Sequence, residues 1–140
     1  MNQAQQKLLQ AAAEAAALAY APYSRFRVGA AVLTPGGVFS GANIETASTN
    51  LGICAERAAL THARMRGEQE IIGIAVSCPD ARPNEDGSVD EYGAMPCGAC
   101  RQWLAELAPS AWVVTSGSEK VYGLDDLLPC AFQLHIDSSV

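Results

Sequence analysis

Two separate stretches each open a helix on a cysteine, and this repetition limits the fold more than any other feature of the chain. The first, "GICAERAAL", carries Cys54 with Glu56 two residues on; the second, "PCGACRQWL", carries Cys97 and Cys100. Cys97 and Cys100 stand at i and i+3, so both thiols lie on one side of a helical start. C-x-x-C is half of a zinc site, and it is also the spacing of a thioredoxin-like redox pair. Cys54 adds a third thiol at another helix mouth. There the positive end of the helix dipole and free backbone N–H groups favour a thiolate. Three thiolates from two helix N-termini can meet one ion. Three protein ligands and an open position make a catalytic zinc, which lowers the pKa of bound water towards neutrality. Glu56 is then the proton carrier. Positions i and i+2 do not share a helix face, but at a helix mouth the metal lies beyond the end of the axis and the glutamate arm is long.

Taken singly, the same residues have plainer readings. Cys54 alone is a small buried apolar residue, and Glu56 alone is a first-turn acid stabilised by the helix dipole. Arg57 alone is a solvated helix charge. Cys78 and Cys130 read as core or loop thiols, although Cys78 could close a four-cysteine structural site. His62 and His135 read as surface or packing residues, and Trp103 and Trp112 as core.

Around the cysteines the chain alternates helical and strand patterns. Leu9, Ala12, Ala13, Ala16 and Tyr20 keep a helical spacing that Pro22 is expected to stop. Two β-rich runs flank Pro35-Gly36-Gly37, a hairpin signal. A helix is expected over Ile53–Arg66, ending at Gly67. Ile71–Ser77 reads as a strand buried on both faces. The acidic, turn-rich stretch from Asp80 to Met95 reads as a surface loop that rims a pocket. A helix follows from Cys97 to Pro109, then strands near 111–116 and 120–123 and a helical turn at "LDDLL". The order α-β-β-α-β-α-β-β-α implies one sheet covered by helices on both faces. A length of 140 residues suits one domain, 1–140.

A net charge of −6 argues against polynucleotide as a partner, since phosphate needs a basic surface. The N-terminus has no basic start, and Glu14 and several glutamines interrupt its apolar run. Neither a secretory signal nor a membrane span is expected. The reading is a cytoplasmic protein whose five cysteines are unpaired.

Cys-Ala-Glu followed by Pro-Cys-x-x-Cys is the signature of zinc nucleobase deaminases, with Cys in place of the first His. With "YAPYSRFRVGAAVLTPGG", "GANIET" and "LLPCAF", the chain resembles the homotetrameric cytidine deaminases over almost its whole length. The resemblance implies a three-layer α/β/α cytidine deaminase-like fold with a mixed sheet of about five strands. It implies Zn²⁺ on Cys54, Cys97 and Cys100, and Glu56 as proton shuttle. Arg57 touches the zinc thiolates and tunes the site, because three thiolates and Zn²⁺ sum to about −1 and a guanidinium restores the metal's acidity. The resemblance further implies that Asn43 and Glu45 bind the ribose hydroxyl, that Phe26 lines the base pocket, that the Ala55 backbone meets the base edge, and that Phe132 is lent to a neighbouring subunit's pocket. The implied substrate is a free nucleoside, cytidine or deoxycytidine. Thr46 and Thr49 depart from the family pattern near the sugar end of the pocket and keep open a modified cytosine nucleoside, N4-substituted or blasticidin-like. A non-catalytic zinc protein and a polynucleotide editor rank lower.

Overall fold

The computed structural model describes residues 1–137, so the last three residues of the expected domain lie outside it. Asn2 and Gln5 form a capping box that starts helix α1 (Gln3–Ala16). Strands β1 (Gly29–Thr34) and β2 (Gly37–Ala42) pair antiparallel through the Pro35-Gly36 turn, with Gly37 at φ 134°. Helix α2 (Ala55–Met65) follows, then β3 (Gly73–Ser77), α3 (Gly98–Leu107), β4 (Trp112–Thr115), β5 (Ser118–Tyr122) and the short α4 (Leu124–Leu127). The strands form one five-stranded sheet in the order β2-β1-β3-β4-β5. Only the β3–β4 pair is parallel, so the sheet is mixed, as expected.

Side chains of the central strands alternate between two cores. Ala31, Ala75 and Val114 face Leu8 and Ala12 of α1. Ala30, Val32, Ile74 and Val113 face the other way, onto Ala59, Leu60 and Ala63 of α2 and Leu104 of α3. The result is the expected three-layer α/β/α arrangement. No helix among the described residues is long and apolar enough to cross a membrane.

The alanine run of α1 does more than favour helix. A Cβ on Gly29 would stand 1.9 Å from the Ala12 carbonyl oxygen, so helix and strand meet backbone to backbone. The same device seats α2. A Cβ on Gly41 would lie 2.4 Å from the Ala59 nitrogen and 2.8 Å from the Ala55 oxygen. Gly41→Val should therefore push the mouth of α2 off the sheet. Overpacking of this kind costs about 1–3 kcal/mol. Denaturant unfolding should register that loss together with weaker zinc retention, and unchanged values in both would contradict the close packing.

Two expectations need correction. The first helix ends at Ala16, well before Pro22. Its last bonds tighten to i→i−3, and Tyr20 leaves the helical path to bridge Ile44, donating to the Asn43 carbonyl and accepting from Glu45 N–H. Trp103 is not core: it stands on the outer side of α3, 37% exposed, while Cys100 and Leu104 face inward. Trp112 does pack on the core beneath α1.

Candidate active site

Parallel pairing of β3 and β4 builds the site. Helix α3 carries the chain back from the end of β3 to the start of β4, so its N-terminus lies at the carboxyl end of β3. Helix α2 ends just before β3 begins, which puts its own N-terminus at the same end. In α/β sheets ligands bind at these carboxyl strand ends. The N-caps of the two helices are Cys54 and Cys97, both in extended conformation. Neither side chain caps its helix, so both sulfurs are turned to other work.

That work is visible in the spacing of the thiols. Cys54 Sγ lies 3.7 Å from Cys97 Sγ, and Cys97 Sγ lies 3.5 Å from Cys100 Sγ. All three sulfurs fall within 4.8 Å of one another, and none is in a disulfide. Tetrahedral zinc, with Zn–S bonds of about 2.3 Å, needs sulfurs about 3.8 Å apart. The donor set fits zinc in element, number and separation. Protonation tells the same story. Cys54 is held down to about 5, first by its hydrogen bond with Cys100 and then by Arg57 and Cys97. Cys100 is pushed up by the same bond with Cys54 and by burial. Three thiolates this close repel one another, and a divalent cation removes the conflict. Arg57 donates from Nη2 to Cys54 Sγ at 3.4 Å. Its Nε is buried without a partner among the described residues, a donor left over beside an anionic cluster.

Glu56 occupies the first turn of α2 and is only 3% exposed. Burial pushes its carboxyl above the usual range, opposed by a hydrogen bond with Cys100. Because Cys54 precedes the helix and does not lie within it, the i, i+2 objection disappears. Cys54, Cys97 and the Glu56 carboxyl line one cavity of about 610 Å³, and Cys100 is buried beside them. Phe26, Asn43, Glu45, Arg57, Thr46 and Thr49 line it too. Ala55 is buried at the head of α2 and does not line the cavity. Phe132 is 70% exposed and also lies outside it, its carbonyl accepting from Gln102 Nε2.

Cys78 stands apart from the sulfur cluster. It is buried, its thiol pushed up to about 12 by desolvation and by the charges of Glu56 and Asp80. Among the described residues the sulfurs that cluster within 4.8 Å are those of Cys54, Cys97 and Cys100 without Cys78, so the four-cysteine alternative loses its support. Cys78 nonetheless lines the cavity, as does Met95 at the end of the loop expected to rim it; sequence reasoning offers Cys78 only as a fourth ligand. Their positions held the signal: Cys78 follows a buried strand at its ligand-facing end, and Met95 stands two residues before Cys97. Of the acidic loop, only Gly93 and Met95 reach the cavity among the described residues. Its tip folds on itself through Asn84 and Ser88, and Glu91 ties its far end to Lys120 and Tyr122.

Residues 2–116 match the family model described as the cytidine and deoxycytidylate deaminase zinc-binding region. The chain belongs to this deaminase family. It is 43% identical over 132 residues to a cytidine deaminase of Halalkalibacterium halodurans, covering 91% of this chain and 92% of that one. It is 42% identical over 124 residues to a cytidine deaminase of Mycobacterium tuberculosis, covering 88% and 85%. The crystal structure of cytidine deaminase from Burkholderia pseudomallei superposes with a TM-score of 0.76 at 40% identity, over 94% of this chain and all of that one. The zinc that names the family region and the three clustered thiols agree.

Proposed function

We propose that the protein deaminates cytidine and deoxycytidine as free nucleosides, giving uridine or deoxyuridine and ammonia, with zinc held by Cys54, Cys97 and Cys100. One observation carries the reading: three cysteine sulfurs from two helix mouths cluster together, and two of them, Cys54 and Cys97, line the same cavity as a buried carboxyl, Glu56. Zinc supplies Lewis acidity that readies water as a nucleophile near neutral pH. Glu56 takes the proton from the water that attacks C4, delivers it to N3, and then helps protonate the departing amino group. Its raised affinity for a proton suits a group that must both accept and return one. Arg57 draws charge from the Cys54 sulfur and so keeps the thiolate-rich site acidic.

Phe26 walls the base, and the Ala55 backbone, between the lining residues Cys54 and Glu56, is offered to its edge. Asn43 and Glu45 hold the ribose hydroxyls. Both are partly engaged with the chain itself, yet a carboxylate has a second oxygen and an amide a second N–H. Thr46 and Thr49 line the cavity, so substituted cytosine nucleosides belong in the test. The purified protein should be offered cytidine, deoxycytidine, N4-substituted cytidines, blasticidin S, cytosine, adenosine and guanosine, with products separated by chromatography. The two unmodified cytosine nucleosides should be converted fastest. Preference for an N4-substituted compound would transfer the assignment to the modified-nucleoside reading.

We further propose one domain, a cytoplasmic setting and a homotetramer whose pockets are shared. Phe132, Leu134 and Ile136 alternate along the C-terminal stretch and are all exposed, as expected of a segment that a neighbouring copy covers. Light scattering should give four chains per particle. Phe132→Ala should raise KM with zinc content unchanged, because it removes pocket packing and not a ligand. A fully active monomer would contradict the shared pocket.

A further inference from the structure

The loop Tyr23–Val28 brings Phe26 to the cavity wall, yet it lies in neither a helix nor a strand. Its shape must come from groups outside it. Each of its six backbone N–H groups is taken. Glu45 Oε1 accepts from Tyr23 and Ser24, both at 3.1 Å. Arg25 donates to the Ala21 carbonyl at 3.0 Å, and Phe26 to Ser24 Oγ at 3.0 Å. Arg27 donates to Asp80 Oδ2 at 2.9 Å, and Val28 to Asn43 Oδ1 at 2.8 Å. The Phe26 carbonyl accepts from Asn43 Nδ2 at 2.9 Å. Within this frame Arg25 sits at φ 57°, a left-handed conformation that a side-chain-bearing residue keeps only when its surroundings impose it.

Among the three outside side chains, Asn43 and Glu45 line the cavity and Asp80 does not. Asp80 comes from 53 residues away, at the start of the acidic loop. Besides the Arg27 N–H it takes Arg27 Nε on Oδ2 and Nη2 on Oδ1, each at 2.8 Å. This bidentate fork fixes both direction and distance. It also holds the Asp80 carboxyl down to about 2, through the side-chain and backbone bonds of Arg27, so the grip is in force across neutral pH.

We propose that Asp80 is a positioning residue for the deaminase reaction: by gripping Arg27 through backbone and guanidinium, it sets the neighbouring Phe26 against the substrate base. The proposal rests on the reading of the cavity as a cytosine-nucleoside site. It gives the acidic loop a part in catalysis, through its anchored first residue and not through its tip. Small misplacements of a substrate-positioning group are costly even when the chemistry is untouched.

The test is a double-mutant cycle with cytidine on the zinc-loaded full chain, using Asp80→Ala, Phe26→Ala and the double variant. Asp80→Ala should raise KM about tenfold and leave kcat within about twofold, whereas in the Phe26→Ala background it should add less than about twofold. Asp80→Asn, which keeps an acceptor for the Arg27 N–H, should fall between wild type and Asp80→Ala. Hydrogen exchange reads the clamp without turnover: the loop amides should exchange faster in Asp80→Ala while those of α2 do not. An unchanged KM, a full effect in the absence of Phe26, or unchanged loop exchange would each overturn the proposal. Failure of the deaminase reading would look different, as wild-type protein inert on cytidine while exchange still reports on the clamp.

Discussion

Glu56→Gln should abolish turnover while leaving the molecule folded and its zinc in place. The side chain is buried at the head of α2 and lines the same cavity as Cys54 and Cys97. Gln has nearly the same shape and keeps one acceptor, but it cannot carry a proton. A single general acid–base step is worth about 10²–10⁴-fold, and here one carboxyl serves water, N3 and the leaving amine, so the loss should reach about 10⁴-fold or more. Folding should not suffer. Burial already penalises the ionised carboxyl, as its raised pKa records, so exchanging it for a neutral amide removes a desolvation cost. Thermal unfolding at neutral pH should give a Tm no lower than wild type. Activity within tenfold of wild type would remove Glu56 from the proton path.

The second large effect concerns the metal. Cys54→Ala, Cys97→Ala and Cys100→Ala should each lose zinc and activity together, because each removes one of only three clustered sulfurs. Cys78→Ala should keep about one zinc per chain, as expected of a site whose fourth position stays open. The contrast is sharp because all four are cysteines in or beside one cavity, and only geometry separates them. Elemental analysis of the four purified variants checks it. A requirement for Cys78 would favour a closed structural site.

Much of this centre was legible because its signals are local. The C-x-x-C spacing puts two thiols on one side of a helix start, and Cys54 with Glu56 marks a second start. The sheet was legible through the hairpin at Pro35–Gly37 and the continuous apolar run before Cys78. What the sequence concealed depends on distant pairing. The first helix stops at Ala16 because Tyr20 bridges a segment more than twenty residues on, which no propensity of the alanine run announces. Asn43 and Glu45 stand at alternate positions just past β2, which in a strand would turn both to one face. They do face the same loop, but the backbone groups they hold belong to residues 23–28. Asp80 looked like one more acid in an acidic loop until its bond to Arg27 was seen. Trp103 misled because apolar size was taken for burial, whereas its position on α3 turns it outward.

Metal-dependent hydrolysis of a cytosine nucleoside is assigned to the cavity lined by Cys54, Cys97 and Glu56, with Cys100 completing the sulfur cluster. It is tested most directly by incubating the purified, zinc-loaded protein with cytidine and measuring uridine and ammonia together, before and after chelation and again after zinc is restored. Equal amounts of both products are expected, with loss of both on chelation and their return with zinc. Equal release of uridine and ammonia that survives complete removal of the metal, or no release from the zinc-loaded protein, would contradict it.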